Sequence, residues 1–370
     1  VNGYGVQMDS IMNSRGGFSG GYSGVPRGDR SWDVLFESGG QIVEDGFTAE
    51  IAVPFKSLRY PQREPDIPHR WGFQIARNIR GKDETVVWSR YSRAISGFLP
   101  QMGLIEGMTN LSTSRNFEIM PTFTGIRFGS LDTVGRFNET TNPEAGVNLK
   151  YGLTSNLTAD VAFNPDFSQI ESDRPQIEVN QRFPLFYSEL RPFFLEGAEI
   201  FEMSGPVTFV HTRTIVDPDF GGKITGKVGK TTLGLLVAND AAPGNVELSD
   251  DPLHGKNANV FIGRARYDLY AESFLGAIFT NRDFLGSYSR LGGVDGNFRL
   301  GQTQSLGFRA VQTEHLDLDR IQSSGQMFDV NYRINGRNIS GYLSTYTLSP
   351  GFKTDIGFIR RVDQKRVNGS

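Results

Sequence analysis

Residues 164–201 read NPDFSQIESDRPQIEVNQRFPLFYSELRPFFLEGAEIF. The stretch carries seven carboxylates (Asp166, Glu171, Asp173, Glu178, Glu189, Glu196, Glu199) and three arginines (Arg174, Arg182, Arg191). Phe167, Phe183, Phe186, Tyr187, Phe193, Phe194, Leu195 and Phe201 are interspersed among them. Solvated linkers are poor in aromatics, so this composition predicts a segment buried against polar surroundings. Buried charges are costly unless partnered, so its charges are expected to be paired. Asp166, Glu171, Asp173, Glu189, Arg191 and Glu196 are the expected lumen or plug network. Pro192 stiffens the chain locally, and Phe193, Phe194 and Leu195 anchor it to a wall.

The chain on either side alternates. FEIMPTFTGIRF (117–128), AGVNLKYGL (145–153) and SNLTADVAFNPD (155–166) precede the stretch. In the last of these, Leu157, Ala159, Val161 and Phe163 share one face, and Thr158, Asp160 and Ala162 the other. After it come nine further segments: 221–229, 231–240, 259–269, 273–283, 292–301, 304–314, 327–336, 337–348 and 354–363. Together these make about twelve strands, each near the ~9–11 residues a tilted strand needs to cross a bilayer. Joints alternate between very short (Lys230, Asn335-Gly336) and longer and polar (241–258, 315–325), as turns and loops do at the two ends of a membrane barrel.

Bulk composition agrees. The chain has 370 residues, room for two domains. A net charge of −3, with 21% charged residues, gives no global field for nucleic acid. No run of 18 apolar residues exists, which excludes a membrane-spanning helix but not a barrel. The 44 glycines and 28 phenylalanines favour strands and tight turns. Absence of cysteine removes disulfides, thiolate zinc sites and cysteine nucleophiles. The start at Val1, with no signal peptide in view, is expected of a mature or partial product.

The N-terminal 112 residues differ. A glycine-rich opening leads to SWDVLFES (31–38), closed by Gly39-Gly40 as a turn, and then to QIVEDGFTAEIAVPF (41–55). Asp45-Gly46 signals a hairpin and Pro54 a strand end. WGFQIARNIRG (71–81) and ETVVWSRY (84–91) read as further strands, and 97–111 as a connector. These pieces predict a small antiparallel sandwich. The phrases WDVLFES, DGFTAEIAVPFKSLRYP and WGFQIARNIRGKDETVVWS resemble the C-terminal part of a family 9 carbohydrate-binding module. That resemblance implies a β-sandwich with its opening strands missing. Trp32, Trp71 and Trp88, the only tryptophans, are then the sugar-stacking candidates, with Glu50 as a partner for a hydroxyl. Their competing role is core packing, with Arg59 or Arg77 as a structural partner for Glu50.

The phrases FNPDFSQIESD (163–173), FYSELRPFFLEGAEIF (186–201) and SPGFKTDIGFIRRVD (349–363) resemble a second family. It comprises bacterial outer-membrane proteins that join a carbohydrate-binding-like domain to a C-terminal β-barrel of unassigned function. Its members are longer, and further strands are expected beyond Ser370.

Specific chemistry is sparse. Asp166, Glu171 and Asp173 offer oxygens to Ca²⁺ without matching a loop motif, so no cofactor is expected apart from Ca²⁺ at these carboxylates. His69, His211, His254 and His315 make no pair at strand or helix spacing. No nucleophile elbow, phosphate loop or dinucleotide fingerprint is present. A glycosidase needs two facing acids, and the sequence singles out none; some sandwiches of the first family are appended to xylan-degrading enzymes.

The expectation is therefore an all-β chain. Residues 1–112 form a partial antiparallel sandwich, and residues 115–370 an antiparallel transmembrane barrel of the bacterial outer membrane. Residues 164–202 fold inward or cap the lumen. The expected partners are the lipid bilayer, an oligosaccharide ligand and an envelope protein, without nucleic acid. Binding or transport of glycan-type ligands is the leading function, without assigned catalysis. The alternatives are a polysaccharide hydrolase and a structural or assembly barrel.

Overall fold

The computed structural model describes residues 36–370 apart from 56–57, 59, 61–62, 93–94, 96–100, 112–116, 132–136, 155, 166–185, 247, 271–272 and 337. The chain divides into two compact units. One comprises residues up to Arg115 with Gly301–Gln304 and Ile334–Ser340; the other comprises the remainder.

In the first unit the described strands are β1 (Glu37–Val43), β2 (Gly46–Ala52), β3 (His69–Phe73), β4 (Ala76–Ile79), β5 (Glu84–Val87) and β6 (Gly103–Met108). They pair antiparallel as β1-β2, β3-β6 and β4-β5. The hairpin at Asp45-Gly46 forms with Val43 opposite Gly46, so its two loop residues are Glu44 and Asp45. Gly39-Gly40 is not a turn. It lies inside β1 opposite Glu50 and Ala49, because a glycine pair accepts extended backbone as readily as turn geometry. The expected 97–111 connector contains β6, which pairs with β3. The packed centre is aromatic: Tyr60 lies 5.2 Å from Trp71 and 5.4 Å from His69, ring to ring.

The second unit holds one antiparallel sheet of twelve strands. They are β7 (Phe117–Leu131), β8 (Phe137–Thr154), β9 (Leu157–Phe163), β10 (Pro218–Val228), β11 (Thr231–Asp240) and β12 (Ala258–Asp268), then β13 (Phe274–Phe284), β14 (Ser287–Leu300), β15 (Gln304–Leu316), β16 (Gln322–Asn335), β17 (Ser340–Leu348) and β18 (Gln364–Gly369). Every strand pairs with its neighbour in sequence, so the sheet is a pure meander. No helix among the described residues is long and apolar enough to cross a membrane. The all-β class and the strand count agree with the sequence.

One predicted strand does not form. Residues 354–363 leave the sheet, and the last strand is β18 instead. Pro350-Gly351 turns the chain away after β17, and Phe352 and Ile356 are then buried against the inner face, 2% and 0% exposed. Alternation there reflects burial on a wall rather than pairing in a ladder.

The two faces of the sheet are inverted relative to a soluble protein. On β9 the face that bears Thr158, Asp160 and Ala162 is buried, and Phe163 on the other face is exposed. On β10, Lys223 and Thr225 are buried while Phe220 and Val228 are exposed. On β13, Thr280 is buried and Leu275 and Phe279 are exposed. β14 buries Asp295 and exposes Val294; β16 buries Asp329 and exposes Phe328 and Val330. An apolar outer face over a polar inner one is what a lipid-facing strand requires.

The inner face is covered by two connections. Phe193, Phe194, Phe201 and Ile215 pack with Ala162, Leu236, Ala238, Val260 and Ile262, from β9 to β12. Met203, Val207 and Phe209 pack with Ile278, Leu291, Val311, Met327 and Tyr346, from β13 to β17. Val210 packs against both clusters. The segment meets all nine strands on the same side.

Candidate functional site

The site is the inward segment and the wall that seats it. Residues 186–215 carry two single-turn helices, α1 (Pro192–Leu195) and α2 (Ala198–Phe201). Proline at the first position of α1 presets its backbone angle. Gly197 separates the two at φ 71°, a left-handed conformation that side chains rarely adopt.

Glycines on the wall form the seats. A Cβ at Gly221 would stand 2.8 Å from the Phe193 ring, and one at Gly234 would stand 2.8 Å from Ile200 and 2.9 Å from Phe201. The aromatic anchors of the segment thus lie directly on bare backbone. Polar bonds fix the same contact. Lys223, on β10, donates from Nζ to the carbonyls of Phe193 and Glu196 at 2.6 Å each and lies 3.7 Å from Asp160. Lys150, on β8, pairs with Glu196 at 2.5 Å.

Arg191 organises the segment itself. Its guanidinium is 2% exposed and bonds both oxygens of Glu189 at 2.8 Å. It also donates to the carbonyls of Ile215 (2.6 Å) and Thr212 (2.8 Å) and stacks 4.1 Å from the Phe194 ring. The Thr212 hydroxyl donates to Glu189 at 2.6 Å. Burial pushes the Glu189 carboxyl up, but its bonds to Arg191 and Thr212 outweigh this and hold it below the ordinary carboxylate range. Burial lowers the His211 imidazole, which stacks on Phe186 at 4.9 Å. The second inward connection, 349–363, is tied to the first where His211 N donates to Ile356 O at 2.7 Å and Phe358 N to Thr208 O at 2.8 Å.

The wall also carries ion pairs between its own strands. Arg264 bonds both oxygens of Asp295, at 2.6 and 2.7 Å, reaching past Gly276 on the strand between them. Arg309 pairs with Asp329, and Lys227 with Asp268 at 2.5 Å.

Of the residues singled out in the sequence, Glu189 and Arg191 come together, and Glu196 joins Lys150. Asp166, Glu171 and Asp173 lie outside the described residues, as does Trp32. Among the described residues no group of three acidic or histidine side chains is placed to hold a metal ion. Trp71 sits in the aromatic centre of the first unit. Trp88 is 59% exposed and meets Phe73 edge-on at 5.7 Å, and Glu50 is exposed on β2. The structure does not bring Glu50 and the tryptophans into one hydrogen-bonded cluster among the described residues. Lys150, Lys223, Gly221, Gly234 and the Arg264–Asp295 pair were not singled out by the sequence. Their signal was position alone, since all occupy inner-face positions of alternating strands.

A sequence family described as a domain of unknown function (DUF5916) matches residues 125–213, which take in β8, β9 and most of the inward segment. No curated protein matches the chain. Solved structures similar to it include OmpT, an outer membrane protein of Vibrio cholerae, in its in-vitro folded trimer form. It has 9% identity and a TM-score of 0.28, covering 69% of this chain and 96% of that one. OmpT of Vibrio cholerae expressed in the outer membrane has 9% identity and a TM-score of 0.28, covering 70% and 97%.

Proposed function

We propose that this chain is a bacterial outer-membrane β-barrel sealed by its own inward connections, and that it serves as a closed membrane platform for envelope partners rather than as a resting pore. The observation that carries this reading is the seating of Phe193 and Phe201 on Gly221 and Gly234, on the polar face of a sheet whose other face is apolar. An apolar outer face needs lipid, and an aromatic ring on a glycine seat fills the space at that contact with the wall.

The test is conductance of the full chain in a planar bilayer, beside Arg191→Ala and Phe193→Ala variants that loosen the seat. The intact chain is expected to be silent and the variants to show steady or flickering conductance. Steady conductance of the intact chain, blocked by oligosaccharide, would replace this reading with a glycan pore.

A second reading rests on Trp88. An exposed indole that meets Phe73 only edge-on offers a flat apolar face of the kind that sugar rings cover. In that reading the first unit binds a glycan-type ligand for the barrel to retain or pass, as the resemblance to carbohydrate-binding modules implies. Trp88→Ala should then abolish retention on a polysaccharide column. No catalysis is assigned.

A further inference from the structure

On the outer face of six neighbouring strands, β11 to β16, the side chains change character at one level. A step of two residues takes Val237 to Asn239 on β11, Phe261 to Asn259 on β12 and Phe279 to Asn281 on β13. The same step takes Gly292 to Arg290 on β14, Ala310 to Gln312 on β15 and Phe328 to Gln326 on β16. Asn239 pairs in the ladder with Asn259, and Asn281 with Arg290, so the polar positions run together across the sheet. Asn239 also donates to Asn259 at 2.9 Å. In a membrane barrel such a boundary is where hydrocarbon gives way to headgroups.

Below this row, on β14 to β16, the apolar face is hollow. A cavity of about 340 Å³, open to the outside, is lined by Gly292, Gly293, Val294, Ala310 and Phe328, with Gln312 and Gln326 as its polar members. A Cβ on Gly292 would meet nothing within 4 Å. The space is far larger than the ~30 Å³ share of one water, and its lining offers water few partners.

Arg290 stands at the polar end of the hollow. It shares a face with Gly292, two residues away, ~7 Å at the usual strand rise. Its guanidinium lies 4.2 Å from the Tyr288 ring and donates from Nε to Asn281 at 3.2 Å. Asp283 is 3.9 Å away, beyond hydrogen-bond reach, and both side chains are nearly half exposed. An exposed pair of this kind contributes little, so a phosphate can take the guanidinium at small cost. Asp283 and Glu314 stand one step further out on the same face and disfavour a second negative charge beyond that phosphate.

We infer that this hollow holds one phospholipid, with an acyl chain over Gly292 and the headgroup phosphate on Arg290. This rests on the membrane reading above. The hollow belongs to the face that meets hydrocarbon, and the one cation of the polar row stands at headgroup level, which fits a lipid and not a soluble anion.

The test is native mass spectrometry of the full chain in mild detergent, with dimyristoylphosphatidylglycerol or dimyristoylglycerol as the probe. The intact chain should retain one copy of the phospholipid. Gly292→Leu, which fills the hollow, should retain none, and Ala277→Leu, on the outer face of β13, should behave as the intact chain. Arg290→Gln should bind the phospholipid about tenfold more weakly, the equivalent of one charge-assisted hydrogen bond, and dimyristoylglycerol as the intact chain does. Ala310→Leu fills the same hollow from β15 should Gly292→Leu fail to fold. No phospholipid on the intact chain, undiminished retention by the filled variants, or equal retention of the two probes by the intact chain overturns the inference. A stable dimer that Gly292→Leu breaks would give the hollow to a second copy and overturn it too. Recovery of the chain in the soluble fraction would instead overturn the membrane reading beneath it.

Discussion

The Phe193 ring lies against the backbone of Gly221 so closely that a Cβ there would stand 2.8 Å from the ring. This contact joins the inward segment to β10, and a single methyl group tests it. Gly221→Ala should lower stability by ~1–3 kcal/mol, the usual cost of overpacking. Gly292→Ala, where nothing lies within 4 Å of the added carbon, should be near neutral. Urea unfolding midpoints with an unchanged slope would measure the difference.

Arg264 and Asp295 form a buried bidentate pair, 3% and 6% exposed. Asp295→Asn leaves Arg264 charged without its counter-ion and should cost ~3–5 kcal/mol. The double variant Arg264→Met, Asp295→Leu should recover most of that loss. Gly276→Ala should mimic the single variant, because its Cβ would stand 2.4 Å from the Asp295 carboxylate. A double-mutant cycle in urea reads the coupling.

Acid should loosen the inward segment before the sheet. Glu189 titrates below its unfolded value, so its contribution is complete above the ordinary carboxylate range and is lost as pH falls through the folded value. His211 is lowered too, chiefly by burial. Its contribution is complete above its unfolded value near neutrality and is lost as the ring is forced to protonate below it. Both act in the same direction. Proteolysis within 186–215 should therefore rise on acidification, and Glu189→Gln should show the rise already at neutral pH. No increase down to the carboxylate range would refute the role given to Glu189.

The outer face should tolerate charge by depth. Phe279→Arg and Val237→Arg, on the apolar outer face, should cost ~2–4 kcal/mol in folding into liposomes, whereas Val228→Arg, at the last residue of β10 beside the 229–230 turn, should cost ~0–1 kcal/mol. Equal costs at all three positions would mean that this face does not meet hydrocarbon.

The strands were legible because a period of two survives in any strand with one apolar face. From β9 to β17 the sequence shows which residues share a face, and the structure keeps those sets. It was misleading at 354–363, where Ile356 and Phe358 alternate for burial on a wall. It was misleading again at Gly39-Gly40, where glycine allowed turn and strand alike. For the charge network, the sequence grouped Glu189, Arg191 and Glu196; the structure pairs Glu189 with Arg191 and gives Glu196 to Lys150, a partner on β8 that the sequence did not single out.

The sequence alone determined the all-β class, eleven of the twelve strands of the large sheet, the two sets of side chains on those strands, and that the 164–201 stretch carries charges and aromatics together. Those follow from local chemistry: side-chain alternation, turn residues and the cost of burying charge. Only the tertiary structure decided which set faces inward, that Lys223 and Lys150 hold the inward segment, and that glycines 221 and 234 seat its rings. Those depend on strands that meet across 20 to 70 residues of chain. A register shift of one residue would reverse every face without changing the sequence pattern that predicted the strand.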